Sequence, residues 1–93
     1  MEWNGRKIYI HHTHELTGTE VRGAAAMDDV GYYVLINANN APLIQRRALG
    51  HELAHIYKNH HFQPERPIDE IEREADRFAW EYYRAYRDGK LPG

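Results

Sequence analysis

Two histidines and one glutamate in the middle of the chain have the residue types and spacing of a metal site. His51 and His55 are four residues apart, so in a helix both imidazoles project from one face toward a common point. Imidazole suits Zn²⁺, and no thiolate competes because the sequence has no cysteine. Glu52, rotated about 100° from His51, is placed to reach a metal-bound water. The pattern predicts Zn²⁺ bound by His51 and His55, with Glu52 as general base.

A zinc site of the catalytic type needs a third protein ligand, for which Glu72 is the candidate. Glu72 lies on the apolar stripe of a second predicted helix, where a carboxylate without a partner is costly to bury and a nearby cation would explain it. Asp76, one turn later, is placed to orient a ligand imidazole by a hydrogen bond. Glu74 is expected on the wetter side of the helix. The alternative is that Glu72 and Asp76 pair only with neighbouring arginines.

Chance alone would produce the His-Glu-x-x-His pattern in roughly one chain of this composition in twenty. The surrounding sequence therefore decides how strongly the pattern indicates a metal site. Here it falls on a predicted helix and is followed by a second helix with an inward carboxylate. Ordinary helix histidines at positions 51 and 55 are the alternative. The other five histidines are expected to be solvated, although one of them could stabilise a transition-state oxyanion: His11, His12, His14, His60 and His61.

The elements that must position these residues are strands first and helices second, which predicts an α+β fold. The β-prone segment Arg6–His12 is predicted as an edge or outer strand. Val21–Met27 and Tyr32–Asn37 are predicted as the arms of a hairpin, because the residues between them are turn formers. We therefore expect an N-terminal three-stranded sheet with a hairpin, followed by two long helices.

Both predicted helices have recognisable ends. The first should run from Pro42, which suits a first helical turn, to about Asn59. The second should run from Ile68 to about Arg87, because apolar residues recur at steps of three and four, and Gly89 should end it. The tyrosines of this helix are expected to pack on it rather than to bind substrate: Tyr82, Tyr83 and Tyr86.

The composition narrows the classes of partner. The formal net charge is -2 and the pI is about 6.4, so no overall basic field would recruit nucleic acid or an anionic membrane directly. No internal repeat or linker divides the sequence, so residues 1–93 are predicted to form one domain. No segment approaches the roughly 18 apolar residues of a membrane span, and no signal-peptide pattern is present, so a soluble, cytoplasmic protein is expected.

Two segments taken together, Arg46–His55 and Glu70–Ala79, resemble the ImmA/IrrE family of metallopeptidases. That family joins a His-Glu-x-x-His helix to a downstream helix with the pattern Glu-x-x-Ala-(Asn/Asp)-x-Phe-Ala. Tyr32–Asn37 also resembles the strand that precedes the family's zinc helix. The resemblance spans roughly residues 21–80, and after Ala79 the sequence departs from the family's pattern.

The resemblance implies a small zincin-like domain, a gluzincin-type zinc peptidase with His51, His55 and Glu72 as ligands and Glu52 as base. It also implies a bacterial, phage or mobile-element setting, and a protein or peptide substrate such as a DNA-binding transcriptional repressor.

The predicted strands suggest that the substrate lies extended along an exposed sheet edge, with Tyr32–Asn37 as the leading candidate for that edge.

One alternative function is a non-catalytic, zinc-stabilised regulatory or protein-interaction module of phage or mobile-element origin. The intact Glu52 argues against it, because a purely structural metal site has no use for a base. A second alternative is a metal-free α+β interaction domain.

Overall fold

A computed structural model of the chain describes residues 2–89, apart from the side chains of Tyr82, Tyr83, Tyr86 and Arg87. The expected packing of those three tyrosines therefore lies outside the described residues. The elements follow one another as β1 (Glu2–Trp3), β2 (Arg6–Thr13), β3 (Gly23–Met27), β4 (Gly31–Asn37), α1 (Pro42–Tyr57), a short 3-10 turn (His60–Phe62) and α2 (Ile68–Arg87).

The four strands form one mixed sheet in the order β1-β2-β4-β3. The α+β class is confirmed, but the expected count of three strands is wrong by one. The additional strand β1 folds back on β2 through Asn4 and Gly5, whose φ angles of 53° and 74° are those of a tight hairpin turn. A strand of two residues is too short to show an alternating pattern, so only the Asn-Gly pair signals it.

Strand β4 lies in the interior of the sheet, parallel to β2 on one side and antiparallel to β3 on the other. Its side chains alternate, so that Tyr32, Val34 and Ile36 are buried in the core. Because both edges of β4 are paired, the prediction that Tyr32–Asn37 offers a free edge to an extended substrate is wrong. The free edge beside the helices belongs to β3.

Helix α1 packs against the sheet and α2 packs against α1. The core unites the buried face of the sheet with the inner face of α1, and α2 adds Ala75 and Ala79, which are almost completely buried. The predicted helix ends agree with the structure at Pro42, Ile68 and Gly89, the last with φ 74°. Helix α1 ends two residues earlier than expected, because Asn59 adopts a left-handed conformation with φ 56° and turns the chain out of the helical path.

No helix within residues 2–89 combines the length and the apolar character that a membrane crossing requires.

The valines of β4 and of the preceding turn provide a matched test of this core. Val34 is 2% exposed and Val30 is 67% exposed. We expect Val34→Ala to lower the free energy of unfolding by roughly 1.5–3 kcal/mol, because it removes buried methyl groups from a packed site. Val30→Ala should change it by less than about 0.5 kcal/mol. Equal effects of the two substitutions in urea denaturation would contradict the assignment of the buried face of β4.

Candidate metal centre

Helices α1 and α2 bring the three predicted ligand side chains together. The Nε2 atoms of His51 and His55 lie 3.2 Å apart. The Oε2 atom of Glu72 lies 3.0 Å from Nε2 of His51, and its Oε1 atom lies 3.4 Å from Nε2 of His55. Three potential ligand atoms from two helices thus face one another at one point, as the four-residue spacing of the histidines and the position of Glu72 predicted.

Glu72 is in the expected place, but the expectation that its carboxylate is buried is wrong. Its side chain is 49% exposed rather than buried on the apolar stripe. Glu72 lies where the cleft between the helices opens, with Asp76 one turn further along the same side of α2. A half-exposed carboxylate needs no cation for its solvation, so the proximity to the two imidazoles is the stronger argument for a ligand.

The ring of His51 is oriented by Asp76, whose Oδ1 atom lies 2.9 Å from Nδ1 of His51. A carboxylate accepts hydrogen bonds, so Nδ1 of His51 donates, and in a neutral ring the lone pair is then on Nε2. Oε2 of Glu72 lies 3.0 Å from the same Nε2 atom and also only accepts, so a proton or a metal cation must lie between these two atoms. Asp76 therefore has the contact expected of a residue that orients a metal-binding imidazole.

His55 is held in its neutral form by its surroundings. Burial lowers the pKa of His55 to about 4, and neighbouring histidines reinforce the effect while the carboxylate of Glu72 opposes it. A neutral imidazole retains a lone pair, and metal binding at neutral pH would not have to displace a proton from this ring.

Glu52 lies beneath the two histidines and is only 7% exposed. Burial raises the pKa of Glu52, the negative charge of Glu72 adds to the rise, and His51 opposes it. Among the described residues, no group makes a hydrogen bond with its buried Oε2 atom. A buried carboxylate oxygen without a partner, next to the imidazoles of His51 and His55, fits a site where a metal-bound water would donate the missing hydrogen bond.

A glycine of strand β3 makes room for this carboxylate. A Cβ atom on Gly23 would lie 3.3 Å from Cγ of Glu52 and 3.0 Å from the carbonyl oxygen of Leu35. A larger residue at position 23 would therefore push α1 away from the sheet or displace the carboxylate. The close approach of β3 to α1 places the free sheet edge directly beside Glu52.

Two different third ligands are geometrically available. Ligand atoms of His51, Glu52 and His55 all lie within 4.8 Å of one another, so Glu52 could complete a site. Glu72 could complete it as well, because its oxygens approach the two Nε2 atoms to 3.0 and 3.4 Å. With Glu72 as the third ligand, Glu52 would stay outside the ligand set, which is the arrangement predicted from the sequence.

A cleft of about 400 Å³ opens from the centre, and its walls include Arg22, Arg47 and Ala79. A second, mainly apolar cavity of about 460 Å³ lies on the other side, between Ala24 and Ala25 of β3 and Ile68 and Ile71 of α2. Both border on the residues of the centre: Glu52, His55 and Glu72. The candidate metal centre is thus flanked by two open spaces, and residues of β3 line both of them.

Sequence reasoning missed two residues next to the centre. His60 was expected to be solvated but is buried, with Nδ1 3.0 Å from Nδ1 of His55 and Nε2 2.9 Å from Oε1 of Glu74. Glu74 was expected on the wetter side of α2, yet its side chain is 33% exposed, less than that of Glu72. Hydrogen bonds from Arg66 and His60 lower the pKa of Glu74 to about 2.

The remaining histidines divide between surface and interior. His11, His12 and His14 are exposed, as expected. His61 is half-buried, and within residues 2–89 its buried Nδ1 atom has no hydrogen-bond partner. His61 borders on the second cavity, as His55 and His60 do.

Comparison with known families gives one match: the sequence model of Peptidase_M78, the IrrE N-terminal-like domain, matches residues 5–86. Comparison with curated proteins and with solved structures gave no significant match.

The buried charge of Glu52 predicts how stability responds to pH in the metal-free protein. The pKa of Glu52 is higher in the folded chain than its ordinary value of 4.5, so ionisation near pH 7 opposes folding. We expect Glu52→Gln to raise the melting temperature near pH 7, because it removes that charge. The gain should vanish as the pH falls below 4.5, where the carboxyl is protonated in both states. A variant that is less stable than the parent at pH 7 in the presence of a chelator would contradict this assignment.

Proposed function

The chain belongs to the family of IrrE N-terminal-like peptidase domains, and from this premise we propose that it is a zinc-dependent peptidase. The convergence of His51, His55 and Glu72 beside the buried, unpartnered carboxylate of Glu52 is the main support. In this proposal the two imidazoles and Glu72 hold the metal, and Asp76 fixes the ring of His51.

Zn²⁺, when bound, would supply an acidified water and an electron-pair acceptor that polarises the scissile carbonyl. Glu52 would accept the proton of that water on its free Oε2 atom. Because burial raises the pKa of Glu52, the carboxylate is a stronger base than an exposed glutamate. The same group, once protonated, would donate the proton to the departing amine.

The openness of the site favours catalysis over a purely structural metal. Structural zinc sites are closed by four protein ligands, whereas catalytic sites keep one position open. Here three ligands converge, the candidate base has an unpartnered oxygen, and a cleft of about 400 Å³ opens beside them. A zinc-stabilised interaction module that cleaves nothing would need neither the base nor the cleft.

We place the extended substrate along the free edge of β3 rather than along β4. The amide of Asn37 donates to the carbonyl of Arg22, and the amide of Asp28 donates to the carbonyl of Gly31. These two bonds mark the hydrogen-bonded pairs of the β3–β4 hairpin, and such pairs alternate along antiparallel strands. Gly23, Ala25 and Met27 therefore direct their backbone groups away from β4, toward the free edge.

The substrate of this peptidase would be a protein or peptide segment in extended form. A DNA-binding repressor is our predicted substrate, on the strength of the family resemblance. Main-chain pairing with β3 would give affinity without strong sequence preference, and the apolar cavity beside Ala25 would accept an uncharged side chain.

Substitution of the two glutamates should separate the base from the ligand. We expect Glu52→Gln to keep about one zinc per chain and to lower hydrolysis of a selected library peptide by roughly 10²–10⁴-fold. Glu72→Gln should weaken zinc binding itself, and His51→Ala and His55→Ala should weaken it further because each removes a nitrogen ligand. Zinc content by mass spectrometry and peptide turnover are the two measurements.

Glu81→Gln is the control for this series, because Glu81 lies exposed on the same helix as Glu72. Glu74, which from sequence alone looks like the natural control, is unsuitable because it contacts His60. Loss of zinc from Glu52→Gln with retention in Glu72→Gln would reverse the two roles. Zinc retained throughout, with no peptide hydrolysed by the parent, would favour the non-catalytic module.

A proline in β3 tests the substrate position. Ala25→Pro removes an amide that faces the free edge and leaves the bonds to β4 intact, so the protein should fold and bind zinc normally. Loss of one main-chain hydrogen bond should raise KM roughly 2- to 10-fold. Ala25→Ser, which retains the amide, should behave like the parent. Equal KM values for the two variants would exclude pairing at this position.

A further inference from the structure

Behind His55 lies a row of polar side chains that the proposed reaction does not use. Nδ1 of His55 is 3.0 Å from Nδ1 of His60, and Nε2 of His60 is 2.9 Å from Oε1 of Glu74. The other oxygen of Glu74, Oε2, accepts a hydrogen bond of 3.0 Å from Nη2 of Arg66. The row thus runs from the metal centre to a salt bridge at the surface.

For neutral imidazoles, the acceptor Glu74 sets the direction of each hydrogen bond in the row. Glu74 is paired with Arg66 and only accepts, so Nε2 of His60 donates to it. A neutral His60 then has its lone pair on Nδ1 and accepts from Nδ1 of His55. His55 is consequently left with its lone pair on Nε2, the atom that faces His51 and Glu72.

We propose that His60, Glu74 and Arg66 are positioning residues that hold His55 in the tautomer needed for metal binding. The inference rests on the proposed zinc site and extends it to the second histidine ligand. Asp76 does the same for His51 through a direct hydrogen bond. Each ligand imidazole would then be fixed at Nδ1 and free at Nε2, one by a carboxylate and the other by a histidine that is itself held by a carboxylate.

The segment that contains His60 is built to keep this residue in place. Its side chain is only 3% exposed, so water has little access to replace the contact. The left-handed residue Asn59 turns the chain directly before it, and Oδ1 of Asn59 accepts a 2.7 Å hydrogen bond from Asn4. On the other side, Gln63 donates to the carbonyl of Lys58 and accepts from Arg66, which in turn contacts Glu74.

Two substitutions of His60 separate hydrogen bonding from packing. His60→Leu fills the buried volume but neither donates nor accepts, whereas His60→Gln can accept from His55 and donate to Glu74. His61→Leu makes the same change at the adjacent histidine and is the matched control. The readouts are the tautomer of His55 in the metal-free protein, from two-bond ¹H–¹⁵N spectra, and zinc affinity from competition with a chromophoric chelator.

We expect the parent, His60→Gln and His61→Leu to show Nδ1–H at His55. His60→Leu should show a mixture of tautomers, and its zinc Kd should rise by roughly 10- to 100-fold. A parent-like tautomer and Kd in folded His60→Leu would overturn the proposal. Rescue by His60→Gln would distinguish hydrogen bonding from a merely structural contribution of His60.

Glu74→Met provides a second test in case His60→Leu does not fold. It leaves His60 in the chain but removes the acceptor that sets its tautomer, so the same changes are expected at smaller size. An unchanged tautomer and Kd in this variant would also overturn the proposal. If the parent itself bound no zinc, the proposed function would fail, whereas the tautomer comparison in the metal-free protein would still decide the role of His60.

Discussion

Three electron-pair donors crowd together at the junction of α1 and α2, and the other features of the site depend on this crowding. The Nε2 atoms of His51 and His55 and the carboxylate of Glu72 lie within 3.4 Å of one another. If both rings are neutral and donate from Nδ1, these three groups have only acceptors facing one another, and their close contact then requires a proton or a metal cation between them. Two imidazoles and one carboxylate are a donor set that suits Zn²⁺.

The fold maintains this arrangement from both sides. The sheet supports α1 through the buried face of β4, and Gly23 allows β3 to approach α1 closely enough to enclose Glu52. Helix α2 packs against α1 through small buried residues and presents Glu72 and Asp76 to the same imidazole. Glu52, the two histidines with Glu72, and the free sheet edge are therefore held next to one another.

The local patterns of the sequence anticipated much of this, because helices and hairpins are determined by near neighbours. The spacing of His51 and His55 and the ends of α2 could be read directly, and membership of the ImmA/IrrE family is confirmed. The interior position of β4 could not be predicted from local sequence patterns, because its parallel partner β2 is distant in the chain. His60 and Glu74 were missed because they meet across an aperiodic loop, where no spacing rule applies. The single-domain organisation, the substrate and the cytoplasmic location stay predictions.

The most direct test of this account is the position of the metal in a crystal grown with zinc, located by anomalous scattering at the zinc absorption edge. The account predicts one strong peak per chain enclosed by Nε2 of His51, Nε2 of His55 and the carboxylate of Glu72, with Glu52 outside the ligand set. A peak bound by Glu52 in place of Glu72, or no peak between the two histidines at saturating zinc, would contradict it.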